Sequence, residues 1–414
     1  MRVIVLGGGV VGVTTAYFLA REGHEVEVIE QEDRLAGWAS SGNAGLIAPG
    51  HSFAWASPTA PKMLLRSLAG AQTAIRVRPR LDPALIGWGL RFLRECTDAR
   101  ARANTLVKLR LCQYSQRVLE EVVAEEKLEY GARTQGVFYL YRDKEAFDLG
   151  VKRMSLLQEN GQQQDILDAE ECVKREPAFG AIRDQIAGAV YDRTDSSGDC
   201  AGFTEALADV CRNLGVRFRL GTRVQALISE GDRVTAALTD DGRITGDLYV
   251  LSLGVHSAEI ARTVGRRLPI YPAKGYSVTF PIRDGDEPPT HGGVDEQTLV
   301  AWANFGDQLR VSSTAEFAGY SRSWRERDFN NIMSTVKLLF PKAADYSAGR
   351  YRACLRPMTP DGPPIIGFGK HHNLLYNTGH GHMGWTMAAG SARIATDIAL
   401  RRRPEIDIQG MGVR

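Results

Sequence analysis

Two glycine-rich turns and one arginine carry the chemistry that can be read from this sequence. The first turn is Gly7-Gly8-Gly9-Val10-Val11-Gly12, with G-x-G-x-x-G spacing. Gly7 permits a tight turn, Gly9 lets the backbone approach a pyrophosphate, and Gly12 lets a helix lie close to the preceding strand. A helix opening at Val10 and Val11 aims free N–H groups at phosphate oxygens. The motif alone is weak. It gains weight from its place, directly after the apolar run Val3-Ile4-Val5-Leu6 and before a helical pattern. Glu30, with Gln31 beside it, ends a second strand-like stretch. A carboxylate there accepts from ribose hydroxyls and disfavours a 2′-phosphate.

The motif does not separate NAD from FAD. The next segment does, because Ser41, Gly42, Asn43, Ala44, Gly45 and Leu46 form a run of small residues. Such a run lets a flat ring system lie against backbone, with N–H groups meeting ring nitrogens and carbonyls, and it favours FAD. A loop without a ligand is the alternative reading. The second glycine-rich turn comprises Gly379, His380, Gly381, His382, Met383 and Gly384, then Trp385 and Thr386, and opens the last helix. Donors at that helix N-terminus would stabilise negative charge on a reduced flavin. His380 and His382 lack a Cys or carboxylate cluster nearby, so no metal site is expected. Arg356 offers a guanidinium that matches a carboxylate bidentately, although an arginine before proline is, by itself, more readily a surface residue.

Elements must position these groups. Strands are expected over 2–6 and 25–30, flanking a helix over 10–22, which is a βαβ opening. The stretch 51–100 breaks that pattern with Pro58, Pro61, Pro79, Pro83, Trp55 and Trp88 among apolar runs. It reads as an excursion into another domain, either a membrane-docking surface or a buried helical hairpin. An amphipathic helix is expected over 104–126, then a strand over 137–141 and a helix to about 160. Near Asp195 the first domain resumes, with a helix over 202–214 and strands at 216–220, 224–228, 233–238 and 248–253, the last ending at Gly254. Strands at 275–280, 298–304 and 309–314 and a helix over 323–339 would complete the second domain. From 350 the chain returns to glycine-rich turns and a last helix over 384–400.

Composition narrows the classes. Of 414 residues, 43% are apolar and 24% charged, with net charge +2, which is globular and gives no broad field for nucleic acid. Six scattered cysteines without a C-x-x-C pair read as reduced core thiols. The N-terminal apolar run is too short for a signal peptide, and no apolar window is long enough to span a membrane.

Taken together, Gly7–Gly12, Ser41–Gly45, Tyr271-Pro272-Ala273-Lys274-Gly275-Tyr276-Ser277, Leu355–Gly362 and Asn377–Gly381 resemble the small, catalytic subunit of bacterial D-amino acid dehydrogenases. That group lies within the D-amino acid oxidase, glycine oxidase and sarcosine oxidase superfamily, and the likeness runs the length of the chain. It implies an α/β fold. A Rossmann-like FAD-binding domain would come from 1–50, 195–262 and 350–414, and an α+β substrate domain with an antiparallel sheet from 51–194 and 263–349. It implies that Val224 meets the adenine through its backbone, that Asn43, Ala44, Gly45 and Leu46 lie beside the isoalloxazine, and that Arg356 binds the substrate carboxylate. Tyr271 and Tyr276 are further candidates for the catalytic pocket, with strand packing equally open for each. The implied reaction is hydride transfer from an amino acid to flavin N5, giving a 2-oxo acid and ammonia, with electrons passed to a quinone or another non-oxygen acceptor. D-hydroxyproline and D-proline dehydrogenases are similar, as are oxidases of the glycine and sarcosine type. The reduced thiols point to the cytoplasm, and peripheral contact on the inner face of the cell membrane and a homo- or hetero-oligomer are left open.

Overall fold

The computed structural model describes residues 1–68, 75–78 and 81–414; Pro79, named above, lies outside them. β1 (Arg2–Leu6) is almost wholly buried, as its unbroken apolar run requires of a strand covered on both faces. It leads through Gly7 into α1 (Val10–Arg21) and on to β2 (Glu25–Ile29), which pairs parallel to β1 with Val3 opposite Val26. Gly7 has φ +111°, a conformation that favours glycine, and a Cβ on Gly12 would collide with the Gly7 carbonyl. The first and last glycines of the motif are thus fixed by the turn itself.

Among the described residues β1 is a central strand of a six-stranded sheet, ordered Ile365–Phe368, Leu374–Thr378, Leu248–Leu251, β1, β2, Arg217–Arg219. All neighbours run parallel except the edge strand Ile365–Phe368. One face is covered by α1, the long helix Asp98–Glu126 and the last helix Gly384–Ala399, whose Val13, Tyr17, Leu111, Val118, Met387 and Ala392 share a core. The long helix begins six residues earlier than its apolar spacing suggests, because Thr97 caps it with a bond from Arg100 N–H.

The second sheet is ordered Arg350–Met358, Tyr271–Pro281, Gln308–Phe317, Val300–Asn304, Gly292–Asp295, Val137–Tyr141, Gly188–Asp192, Gln164–Leu167. It is mostly antiparallel but mixed, since Gly292–Asp295 runs parallel to Val137–Tyr141 and Ile75–Val77 runs parallel to Gln308–Phe317. Two readings of the sequence change here. Residues 350–358 are a strand paired to Tyr271–Pro281 over nine positions, so the segment placed with the first domain from 350 belongs to the second sheet until Met358. The helix expected over 323–339 is confined to Asn330–Leu339, preceded by a single 3-10 turn, Glu326–Phe329. The strand Gly292–Asp295 escapes pattern reading because its two glycines look like a turn. Gly293 lies against the Trp302 ring, which a side chain there would displace.

The glycines give a prediction of opposite signs. Gly12→Ala forces the Gly7 carbonyl away and should destabilise by about 1–3 kcal/mol. Gly87→Ala, in the helix Pro83–Glu95 with open space around it, should stabilise by about 0.5–1 kcal/mol. Urea unfolding of both variants checks this, and equal shifts would contradict the close-approach reading.

Candidate functional site

A continuous cavity of about 640 Å³ runs from the first glycine turn to Arg356. At one end Gly7, Gly9, Val10, Val11, Glu30, Gln31 and Val224 line it. Gly9 caps α1 without a side-chain bond, which leaves first-turn donors for an anion; Val10 N–H is held by Ser40 Oγ at 3.0 Å. Glu30 accepts from Gly8 N–H at 2.7 Å and Glu32 N–H at 3.0 Å. Burial raises its carboxyl, and these backbone donors offset part of that. With about four lone-pair positions on a carboxylate, it retains capacity for sugar hydroxyls.

The middle of the cavity is walled by Gly42, Asn43, Ala44 and Leu46 on one side and Gly254, Gly381, His382, Met383, Gly384, Trp385 and Thr386 on another. Asn43 shapes its loop by donating to Ser40 O and accepting from Gly45 N–H, each at 2.8 Å. The two histidines of the last turn diverge. His380 Nε2 lies 2.9 Å from Ser391 Oγ, and burial pushes it down to about 3, so it is neutral. His382 stacks on Trp55 at 4.7 Å and is also held neutral, by burial and then by the charges of Lys108, Arg356 and His51.

The strand Arg350–Met358 delivers the far end. Alternate residues share a face of a strand, and here Arg352 bonds Ser41 Oγ, Cys354 Sγ lies 3.4 Å from Trp38 O, and Arg356 enters the cavity. Arg356 Nη1 donates to Thr314 O at 2.7 Å. Thr314 has φ +62° and Leu299 φ +52°, and both line the cavity; such non-glycine conformations concentrate at functional sites. No carboxylate among the described residues pairs with Arg356, and burial pushes its guanidinium down to about 10. A Cβ on Gly275 would strike that guanidinium. A glycine inside a strand signals close approach, so Gly275 was a legible site residue that the sequence reading passed over.

Several expected residues stand behind the wall. Ser41, Gly45 and Gly379 shape the loops without lining the cavity, and Gly12 serves the turn. Tyr271 and Tyr276 do not reach the cavity. The Tyr271 hydroxyl donates to Asp82 at 2.7 Å beside Trp88 and Phe317, and the Tyr276 hydroxyl donates to Glu316 at 2.6 Å within the second core. Tyr276 neighbours Gly275 and therefore faces the other side of the sheet. His51, Trp55 and Glu296 line the cavity and carry no sequence spacing that would have marked them.

The geometry fits a flavin dinucleotide. The glycine cradle, the acid at the end of β2, the small-residue wall and a helix N-terminus all line one cavity. Ser252, His256, Asn377 and Trp385, all wall residues, each hold a buried side-chain polar atom without a protein partner, which suits a polar ligand.

Comparison with known proteins agrees with this geometry. The D-amino acid dehydrogenase 2 of Mesorhizobium japonicum is 43% identical over 412 residues, covering 99% of each chain. The D-amino acid dehydrogenase of Cereibacter sphaeroides (strain ATCC 17023) is 41% identical over 413 residues, covering 100% of this chain and 95% of that one. Glycine oxidase from Geobacillus kaustophilus shares the fold with a TM-score of 0.76 at 20% identity, over 100% of this chain and 98% of that one. The family model described as DAO, FAD dependent oxidoreductase, matches residues 2–398. The chain belongs to the DAO family of FAD dependent oxidoreductases.

Proposed function

We propose that this flavoenzyme oxidises D-amino acids to 2-oxo acids and ammonia and passes the electrons to a quinone or another non-oxygen acceptor. The observation that carries the reading is Arg356, a half-buried guanidinium without a carboxylate partner among the described residues, in the cavity that begins at the dinucleotide turn. A charged group so placed calls for an anionic ligand. The names of the relatives at 43% and 41% identity supply the class of substrate.

Bound FAD supplies the two-electron acceptor for the substrate Cα–H. The chain does the positioning. Arg356 holds the carboxylate with the donors that Thr314 leaves unused. Gly275 leaves room for the guanidinium, and the wall of Trp55 and His382 limits the space for the side chain. Fixing the amino acid in this way supplies the orientation on which rate depends.

A surface feature supports a membrane-borne acceptor. On the helix Pro83–Glu95, Trp88 and Phe92 are buried, while Ile86, Leu90 and Leu93 are exposed at helical spacing, with Leu81 fully exposed just before. Arg91 and Arg94 are exposed on the same helix. Apolar anchors flanked by cations suit the surface of an anionic bilayer.

Three outcomes are expected. Anaerobic addition of D-amino acids should bleach the flavin band near roughly 450 nm, while L-enantiomers leave it intact; a yellow protein indifferent to both would refute the substrate reading. Arg356→Met should lower kcat/KM by at least about 10²-fold, from a loss of roughly 2–5 kcal/mol, with FAD retained. It should also raise the Tm of the substrate-free protein. The sign follows from the depressed value: below about 10 the folded chain bears the cost of a cation partly removed from water, and removing the cation removes that cost. A lower Tm would contradict this account of Arg356. Finally, the wild-type protein should sediment with phosphatidylglycerol vesicles more than with phosphatidylcholine vesicles, and the Ile86→Asp, Leu90→Asp pair should abolish the difference; equal sedimentation would remove the membrane reading.

A further inference from the structure

One polar pair in the cavity wall has no part in holding the dinucleotide or the carboxylate. His51 ends the 3-10 turn Pro49–His51, which follows the small-residue wall. Its Nε2 lies 2.8 Å from Glu296 Oε1, just past the strand Gly292–Asp295. Both line the cavity, with side chains 28% and 12% exposed. The imidazole stacks on Tyr139 at 5.1 Å and 16°. The Tyr139 hydroxyl bonds Asp195, which also accepts from Gly50 N–H at 2.9 Å. The ring is therefore held on its face by Tyr139 and at Nε2 by Glu296.

A carboxylate at Nε2 selects the tautomer with the proton there, so Nδ1 keeps its lone pair. Nδ1 has no hydrogen-bond partner among the described residues. Burial would raise the Glu296 carboxyl, but His51 and Arg153 beside it together lower it, so it stands as a carboxylate against the ring.

The neighbouring titratable groups are unsuited to accept a proton. On adjacent elements these are Tyr139 and, behind Gly50, Asp195 and Asp192. Arg153 lies over Phe53, and Lys108 donates to Phe53 O at 2.7 Å; His382 is close enough to feel the charge of His51. Burial raises Tyr139 and Asp195 well above their ordinary ranges. Asp192 is engaged by Gln162 and Thr194. Lys108 is engaged as a donor to Phe53 O, although burial pushes it down to about 8. His382 is too weakly basic.

We propose that His51, oriented by Glu296, takes the ammonium proton of a substrate held through Arg356. This rests on the amine-oxidation reading above. One N–H bond of the ammonium breaks, an Nδ1–H bond forms, and the electron pair stays on the amine nitrogen, where it assists loss of the Cα hydride. Glu296 stabilises the imidazolium, and the exposed edge of the ring returns the proton to solvent.

The test is the pH dependence of kcat/KM for wild-type, His51→Gln and Glu296→Gln holoenzymes with the best D-amino acid. His51→Gln should lose about 10²-fold at neutral pH, and its ascending limb should move alkaline by at least about one unit, so that the deficit closes at high pH. His51→Gly should regain activity with added imidazole. Glu296→Gln, which alters a positioning residue, should lose about tenfold and move the limb acid, because the imidazolium loses its counter-charge. An unchanged limb in His51→Gln, or a loss equal at every pH and insensitive to imidazole, would overturn the proposal. A wild-type enzyme that oxidises no D-amino acid would overturn the amine reading and this proposal with it.

Discussion

A guanidinium carried into the interior must be supported on every side that a ligand does not cover, and several features of this fold answer that demand at Arg356. The strand bearing it is anchored by alternate residues to the loop that walls the cavity: Arg352 holds Ser41, and Cys354 fills the space that Gly42 leaves open. The facing strand contributes Gly275, where any side chain would strike the guanidinium. Thr314 adopts a left-handed conformation while its carbonyl accepts one donor. The rest of the fork is left to a ligand. The same strand thus closes the cavity wall at Gly42 and brings Arg356 into the cavity.

The pairing of sheets explains how the two ends of the cavity stay in register. The six-stranded sheet presents the glycine turn and Glu30 at the ends of parallel strands, where ligands of such sheets bind. The mixed sheet presents Arg356, Thr314 and Glu296. Between them, Leu46–Ile47 pairs with Ser196–Ser197, and Gly198 N–H donates to Gly45 O at 2.8 Å. The small-residue wall is therefore stitched to the chain where it re-enters the first sheet.

How much was legible follows from range. β1, α1 and β2 could be read because glycine spacing, an unbroken apolar run and a terminal acid all lie within thirty residues. Small-residue segments of the cavity wall stood out for the same local reason. Arg356 became legible only through likeness to a family, since nothing adjacent tells a clamp from a surface arginine. Tyr271 and Tyr276 were misplaced because a motif names residues without stating which face they occupy: Tyr276 faces away from Gly275, and Tyr271 lies four residues along the strand, roughly 13 Å beyond it. His51 and Glu296 meet across 245 positions, and a pairing at that separation leaves no periodic trace. The strand Gly292–Asp295 was hidden by glycines that accommodate Trp302.

The threading of the chain also bears on its synthesis. α1 shares its apolar face with Gly384–Ala399, so the part of its core built by Met387, Ala388 and Ala392 is completed only by the last tenth of the polypeptide. At about 5–20 residues per second, the ribosome leaves that part of the core open for tens of seconds while the mixed sheet is still acquiring its outermost strand. A nascent chain of this topology cannot complete its first domain before its second.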